Sequence, residues 1–422
     1  MNTAVSTNIA PKKGLFNPLT RSFRENPYPQ YEALRQNPPE HSMGMWIMTR
    51  YADVMAVLRD PRFSSASVPE ITEKKMAEYS LAGACPEVTE LGRKAIVFTE
   101  NPDHQRLRRL ANPLFNTANV NAVVKPVIER LVSGMCDEII DAESADIIHA
   151  LAEPLPYRVM TTWMDLPAET IPQIMKWTND VRYFLEPSVL NKARFNESYK
   201  GLLEFRAFFR AEIHKRRAAG GSTDFIGALM SSSIDDGDML TEDEIIYACI
   251  FGFVAGTETT KALLGDATYL LATHPEQLAL IHEGRVGIPN AADELTRRAS
   301  PLQMTRRRCL EDLTVAGVRI SKDQDVLLVL AAANHDPTMF PEPETLDLFR
   351  ANSELHIAFG YGLHVCLGAY LARVQLRTFL GEIASRRMTF SVDGGPDWIE
   401  HSFMLRGLKR LDARVTAGVG VQ

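Results

Sequence analysis

Phe359-Gly360-Tyr361-Gly362-Leu363-His364-Val365-Cys366-Leu367-Gly368 is the stretch of this 422-residue chain on which its reading turns. Two glycines in a tight loop let the backbone approach a flat ligand more closely than side chains allow. A helical pattern begins just after the cysteine and runs to about Ala384. A cysteine at a helix start meets free N–H groups and the positive end of the helix dipole, which favour a thiolate. A thiolate bound axially to a haem iron pushes electron density onto the metal and favours O–O cleavage. Six specified positions, Phe359, Gly360, Gly362, His364, Cys366 and Gly368, make an ordinary buried cysteine a poor account of the pattern.

The other cysteines, Cys85, Cys136, Cys249 and Cys309, are scattered and form no CxxC pair, so neither a disulfide framework nor a zinc ribbon is expected. They suit small core hydrophobes. The chain is 45% hydrophobic and 23% charged, enough to bury a large core. A net charge of −7 with mixed signs argues against nucleic acid as the main partner. Residues 1–13 are polar and lack the apolar core of a signal peptide. The longest apolar stretch, residues 245–255, is too short to span a bilayer. These features predict a cytoplasmic protein without a membrane anchor, whose residues 1–20 form a flexible segment.

No repeat or low-complexity linker divides the chain, so one domain over residues 1–422 is expected. Residues 45–49 (MWIMT) read as a strand followed by a helix over 51–59, and residues 121–217 as successive packed helices. Thr241-Glu242-Asp243-Glu244 is a capping box that opens the clearest helix. Its apolar pattern continues to Leu271, with Pro275 just beyond, far past the globular average of about 12 residues. It should cross the middle of the domain. Residues 291–298 read as helix, and 315–320 and 325–331 as strand pieces. The proline-bearing stretch 336–350 can be neither long helix nor central strand. Residues 64–100 read as a long loop that helps gate a pocket.

Within the long helix, Ala255-Gly256-Thr257-Glu258-Thr259-Thr260 combines small residues with hydroxyls that can bond backbone carbonyls, a recipe for local opening. Glu294 and Arg297 lie three apart on one helix face, where such a pair is usually a weak surface bridge.

These stretches closely resemble the cytochrome P-450 family in its soluble bacterial branch, from Asn26-Pro27-Tyr28-Pro29 to Arg406-Gly407-Leu408. The resemblance implies a mainly α, single-domain fold: a triangular helical prism with small β-sheets and a long central helix over the haem. It implies an oxidoreductase, a monooxygenase that inserts one oxygen atom from O2 into a hydrophobic small molecule by hydroxylation or epoxidation. Secondary-metabolite, polyketide, terpenoid and fatty-acid metabolism all remain open, as does a substrate tethered to a carrier protein. The implied cofactor is haem b, with Cys366 as axial ligand and Phe359, Gly360 and Ala255 against the macrocycle. Glu258 and Thr259 match the oxygen-activation pair, an acid and a hydroxyl that pass protons. His104, Arg108, Arg307 and His364 match the groups that hold the propionates. Arg306 and Arg308 flank Arg307 and leave the register there open. Glu294 and Arg297 match a structural network completed by Arg350, although Leu346 stands where the family usually has phenylalanine.

By family position the substrate pocket takes Val97, Phe98, Phe251, Val254, Leu302, Gln303, Met404 and Leu405. Most are apolar, so the substrate should be largely hydrophobic. No dinucleotide glycine loop or cysteine cluster is present, so electrons must come from a separate ferredoxin or similar donor with an NAD(P)H-dependent reductase. Arg106, Arg109, Arg373 and Arg377 are candidates to meet an acidic donor. The alternatives are a peroxide-driven peroxygenase and a haem-binding sensor without turnover. Loss of the acid and hydroxyl, or of the cysteine, would favour them, and neither is lost.

Overall fold

The computed structural model describes residues 16–418 except 19, 38, 82, 235, 236 and 393. The helical periodicity of residues 121–217 resolves into Lys125–Asp141, α1 (Pro154–Trp163), α2 (Ile171–Val181) and Lys192–Ala218. The capping box forms as the sequence predicts: the Glu244 amide donates to the Thr241 hydroxyl, and the Thr241 amide donates to the Glu244 carboxylate at 2.7 Å. It starts α3 (Glu242–Val254), whose Ile245, Ile246, Cys249, Ile250 and Phe253 are buried nearly all round. A helix apolar on every face belongs in the interior. Phe253 packs against Phe205 and Phe209 of the Lys192–Ala218 helix, with ring centroids at 6.2 and 6.3 Å. Each such buried ring contributes about 1.5–3 kcal/mol.

The long helix is parted in two at the stretch where the sequence predicts a local opening. After α3 the chain leaves regular helix at residues 255–257 and resumes as α4 (Glu258–Thr273). At the break the Thr259 hydroxyl donates to Ala255 O at 2.8 Å and the Thr260 hydroxyl to Gly256 O at 2.7 Å. Side chains thus serve carbonyls that backbone amides would serve in regular helix.

Two more helices frame the cysteine loop: α5 (Ile288–Ala299) and α6 (Ala369–Arg386). A five-stranded sheet contains β1 (Glu40–Ser42), β2 (Met45–Met48), β3 (Phe63–Ser64), β4 (Thr305–Cys309) and β5 (Asp325–Leu328). Their order is β1-β2-β5-β4-β3, with only β2 and β5 parallel. The strand piece expected at 315–320 is a hairpin. Ala316 and Gly317 turn it at φ +53° and +76°, the pair of left-handed residues that a two-residue turn demands.

Two other expectations change. Residues 64–100 are no open loop but carry the helices Ser67–Glu78 and Pro86–Lys94, anchored by buried Met76, Val88 and Leu91. Phe16 is buried edge-to-face on Phe23, so the described part of the segment expected to be flexible is packed. Residues 1–15 and 19 lie outside the described residues.

Candidate functional site

The cysteine loop is held by its own backbone. The Cys366 amide donates to Phe359 O at 2.9 Å, and the Gly360 amide to Ile357 O at 2.9 Å. Gly360 and Gly362 sit at φ +69° and +72°. Gly362 serves packing: a Cβ there would lie 2.3 Å from Leu58 O, at the end of the Tyr51–Arg59 helix. Cys366 precedes α6 by a short turn, so the helix end is less close than its sequence position suggests. Burial pushes the Cys366 thiol up, against the Gly368 amide and the guanidinium charges of Arg108 and Arg373.

Cys366 opens onto a cavity of about 690 Å³ that also meets His104, Arg108, Arg307, His364, Phe359, Gly360 and Ala255. Arg306 and Arg307 both border this cavity, and their partners decide the register. Arg306 and Arg308 both pair with Asp325, while Arg307 donates to Thr305 Oγ1 at 3.1 Å and Arg306 O at 2.8 Å. Arg108 donates to Val365 O at 2.6 Å. Among the described residues neither Arg108 nor Arg307 has a carboxylate partner, and burial lowers the pKa of both. The His104 Nδ1 is buried without a hydrogen-bond partner among the described residues. Burial, then His364 and Arg108, brings the His104 pKa down to about 4. A buried guanidinium and a half-buried one, neither with an acid among the described residues, and an orphaned ring nitrogen in the cavity that holds the thiol fit a flat ligand bearing two carboxylates. The residues present fit haem.

Sequence reasoning missed what holds His364. Its Nε2 lies 3.0 Å from the Ser65 hydroxyl and 3.6 Å from Glu100, and its ring packs 4.4 Å from that of His104. Glu100 also accepts from the Ser64 hydroxyl and the Ser65 amide. Burial opposes its ionisation, but His364 and Ser65 outweigh burial and hold its pKa at about 2. Nothing in the sequence around Glu100 signals this contact.

Across the cavity, Glu258, Thr259 and Ala255 line the wall at the helix break. Glu258 is buried without an ion pair among the described residues. Val97, Phe98, Phe251, Val254, Leu302, Met404 and Leu405 line the same cavity, with Phe98 and Phe251 edge-to-face at 5.7 Å. A bridge between Leu302 and Leu405 ties two of the wall segments together. Gln303 is the exception. Its side chain points away from the cavity, accepting from the Tyr31 hydroxyl at 2.9 Å and donating to Ser300 O at 2.7 Å. Strand-like alternation at Leu302 and Gln303 sends neighbours to opposite faces. The sequence reading also missed a polar stretch of wall at Arg182, Glu186, Ser188 and Ser402.

Glu294 and Arg297 form no surface bridge. Both side chains are fully buried, and the guanidinium meets the carboxylate bidentately at 2.7 and 2.8 Å. Arg350 reaches the same carboxylate at 3.1 Å. The two arginines also donate to the carbonyls of Asn334, Pro341, Glu342, Pro343 and Thr345. The stretch 336–350 is thereby pinned without regular structure. Leu346 is buried beside it.

The arginines expected to face a donor are engaged within the chain. Arg106 pairs with Asp238 and Glu244, and Arg373 and Arg377 with Asp293.

A loop-borne cysteine beneath a broken central helix, with unpaired cations at the rim of the cavity between them, defines a haem-thiolate protein. The comparisons give the same class: the Cytochrome P450 family profile matches residues 84–285 and 289–401. The chain belongs to the cytochrome P450 family and is a monooxygenase, an oxidoreductase with a haem-iron cofactor that acts with a substrate, O2 and a redox partner. It is similar to the cytochrome P450 monooxygenase PikC of Streptomyces venezuelae, 30% identical over 95% of this chain and 94% of the relative. It is also 30% identical to the polyketide biosynthesis cytochrome P450 PksS of Bacillus subtilis, over 95% of this chain and 98% of that one. Among solved structures it resembles P450BioI in complex with a hexadec-9Z-enoic acid-ligated acyl carrier protein. That match has a TM-score of 0.84 and 29% identity, and covers 94% of this chain and 99% of the other.

Proposed function

We propose that this enzyme hydroxylates or epoxidises an extended, mostly hydrophobic small molecule in polyketide or fatty-acyl metabolism. The observation that carries this reading is the cavity of about 690 Å³, walled by aliphatic and aromatic side chains and reaching Cys366. The names of similar proteins, one in polyketide biosynthesis and one holding a carrier-bound acyl chain, support the same class. The cofactor would be haem b: Cys366 would supply the thiolate that holds its iron, Arg108, Arg307, His104 and His364 would hold its carboxylates, and Phe359, Gly360 and Ala255 would pack against it. When bound, it supplies dioxygen activation, which the thiolate promotes. Glu258 and Thr259 hold and pass protons at the helix break. The buried network of Glu294, Arg297 and Arg350 keeps the cysteine loop in place. The intact acid and hydroxyl favour a monooxygenase over a peroxygenase or a sensor. Electrons come from a ferredoxin served by an NAD(P)H-dependent reductase. Among the described residues no helix is long and apolar enough to cross a membrane, and we place the enzyme in the cytoplasm as one domain.

The test is spectroscopic. The reduced protein under carbon monoxide gives a strongly red-shifted Soret band, which Cys366→Ser removes; an unshifted band in the wild type overturns the thiolate assignment. A screen of macrolactones, fatty acids, steroids and terpenoids for substrate-induced Soret shifts then identifies the class. Strong shifts only from small polar compounds overturn the hydrophobic reading.

A further inference from the structure

Among the described residues, the lysines and arginines that border the cavity are Lys94, Arg108, Arg182, Arg306 and Arg307. Lys94 pairs with Asp243 at 2.8 Å, and Arg306 pairs with Asp325. Arg108 and Arg307 fit the two carboxylates of a haem. Arg182 is left over. It has no acid within ion-pair distance among the described residues. Its Nε is buried there without a hydrogen-bond partner. A buried donor without an acceptor is costly, so a cavity wall that keeps one is completed by what enters the cavity.

The guanidinium is nevertheless held in place. Arg182 follows directly on α2, in a short turn of tight helix over Arg182–Leu185. Its guanidinium carbon lies 4.4 Å from the centroid of the Tyr183 ring, and its Nη2 donates to the Tyr183 hydroxyl at 2.9 Å. Tyr183 borders the cavity as well.

Four residues on, buried Glu186 fastens this segment to the opposite strand of wall. Its Oε1 accepts from the Ser402 hydroxyl and from the Met404 amide at 3.1 Å. Ser402 Oγ accepts in turn from the Leu405 amide at 2.8 Å, and the Gln303 amide donates to Met404 O at 2.7 Å. Burial pushes the Glu186 carboxyl up, against Ser402, Met404 and the charge of Arg182. Glu186 is thus occupied by the turn it holds, and burial disfavours the charge that would neutralise Arg182. Leu185, Val189 and Phe403 border the cavity beside it. A planar guanidinium set among apolar side chains matches a carboxylate at the end of an apolar chain, which it can take through two parallel N–H bonds.

We propose that Arg182 binds the carboxylate of the substrate, which is a free acid with an extended apolar body. This rests on the reading of the cavity as the site of a hydrophobic substrate, and it narrows that reading. An acyl chain joined to a carrier has spent its carboxyl group in that bond, as an ester has, and neither presents a carboxylate to Arg182.

The test uses the haem-loaded protein and three ligands of one chain length: lauric acid, methyl laurate and lauryl alcohol. Binding is read from the Soret shift and, independently of the iron, by titration calorimetry. In the wild type the acid binds about tenfold tighter or more than either neutral ligand, the worth of a charged hydrogen bond. In Arg182→Gln that preference disappears, while the Kd values of ester and alcohol stay as in wild type. Arg182→Lys keeps the charge without the fork and retains part of the preference. Rising ionic strength weakens binding of the acid alone. The red-shifted carbonyl band of both variants matches the wild type, which separates anchoring from folding. If Arg182→Gln loses that band, Arg182→Lys and the wild-type comparison of acid with ester decide. An acid that binds no tighter than its ester, or a preference that survives Arg182→Gln, overturns the anchor and leaves the hydrophobic reading standing. If none of the three ligands binds, the hydrophobic reading falls and the anchor falls with it.

Discussion

The cysteine side of the cavity and the helix-break side use the same residue types to opposite ends. Around Glu294, two arginines, one carboxylate and five backbone carbonyls satisfy one another in a region closed to solvent. Around the cavity, among the described residues, half-buried Arg108 and buried Arg307 have no acid, His104 keeps an orphaned nitrogen, and Glu258 has no cation. A satisfied buried network rigidifies what it touches. Unsatisfied buried groups are costly alone and therefore mark where a ligand completes the structure. The contrast separates scaffold from working surface without reference to any relative.

That contrast can be broken at several points. The largest effect is expected from Glu294→Ala, which strands two buried guanidiniums. Unfolding stability should fall by about 3–5 kcal/mol, read by urea denaturation and by loss of the red-shifted carbonyl band. A change below about 1 kcal/mol would make the network a surface bridge after all. Thr259→Ala should leave stability nearly unchanged yet reduce product formed per NADPH by an order of magnitude or more, with peroxide in its place. Unchanged coupling removes Thr259 from the proton path. Arg307→Leu should weaken retention of haem by about 1.5–3 kcal/mol, the worth of a charged hydrogen bond, measured by transfer of haem to apomyoglobin. Smaller again is Gln303→Leu. It strands the Tyr31 hydroxyl and costs about 1 kcal/mol, but substrate-induced Soret shifts keep their Kd; a changed Kd restores Gln303 to the pocket.

The last prediction concerns pH. Glu100 has its pKa held at about 2 in the folded chain against 4.5 ordinarily, so its contribution to stability is full above about pH 4.5 and is lost as pH falls through about 2. Glu100→Gln should flatten the slope of stability against pH in that acid window and leave neutral pH alone. An unchanged acid slope places the Glu100 to His364 contact outside the folded-state balance.

Much of this was legible from local pattern. The Thr241 capping box, the Tyr51–Arg59 helix and the irregular stretch 336–350 follow from short-range chemistry that the sequence displays directly. The seven apolar residues that line the cavity were legible because their family positions carry a shape as well as a composition. Other features were out of reach for a physical reason. The opening at 255–260 was legible, but its extent over residues 255–257 was not, because it depends on threonine hydroxyls winning carbonyls from backbone amides. The helices within residues 64–100 are short, and packing of Met76, Val88 and Leu91 decides them. The arginines of the supposed donor face met Asp238, Glu244 and Asp293, partners distant in sequence.

The chain by itself determined the ligand-bearing loop, the acid and hydroxyl of the central helix, and the chemistry they share, because those signals are contiguous stretches of a few residues. Tertiary structure alone decided which arginine of Arg306, Arg307 and Arg308 has no acid among the described residues, that Gln303 turns away, and that Glu100 holds His364. Each of these depends on which surfaces meet when distant segments pack. Burial then changes the energy of a charge far more than its neighbours in sequence do.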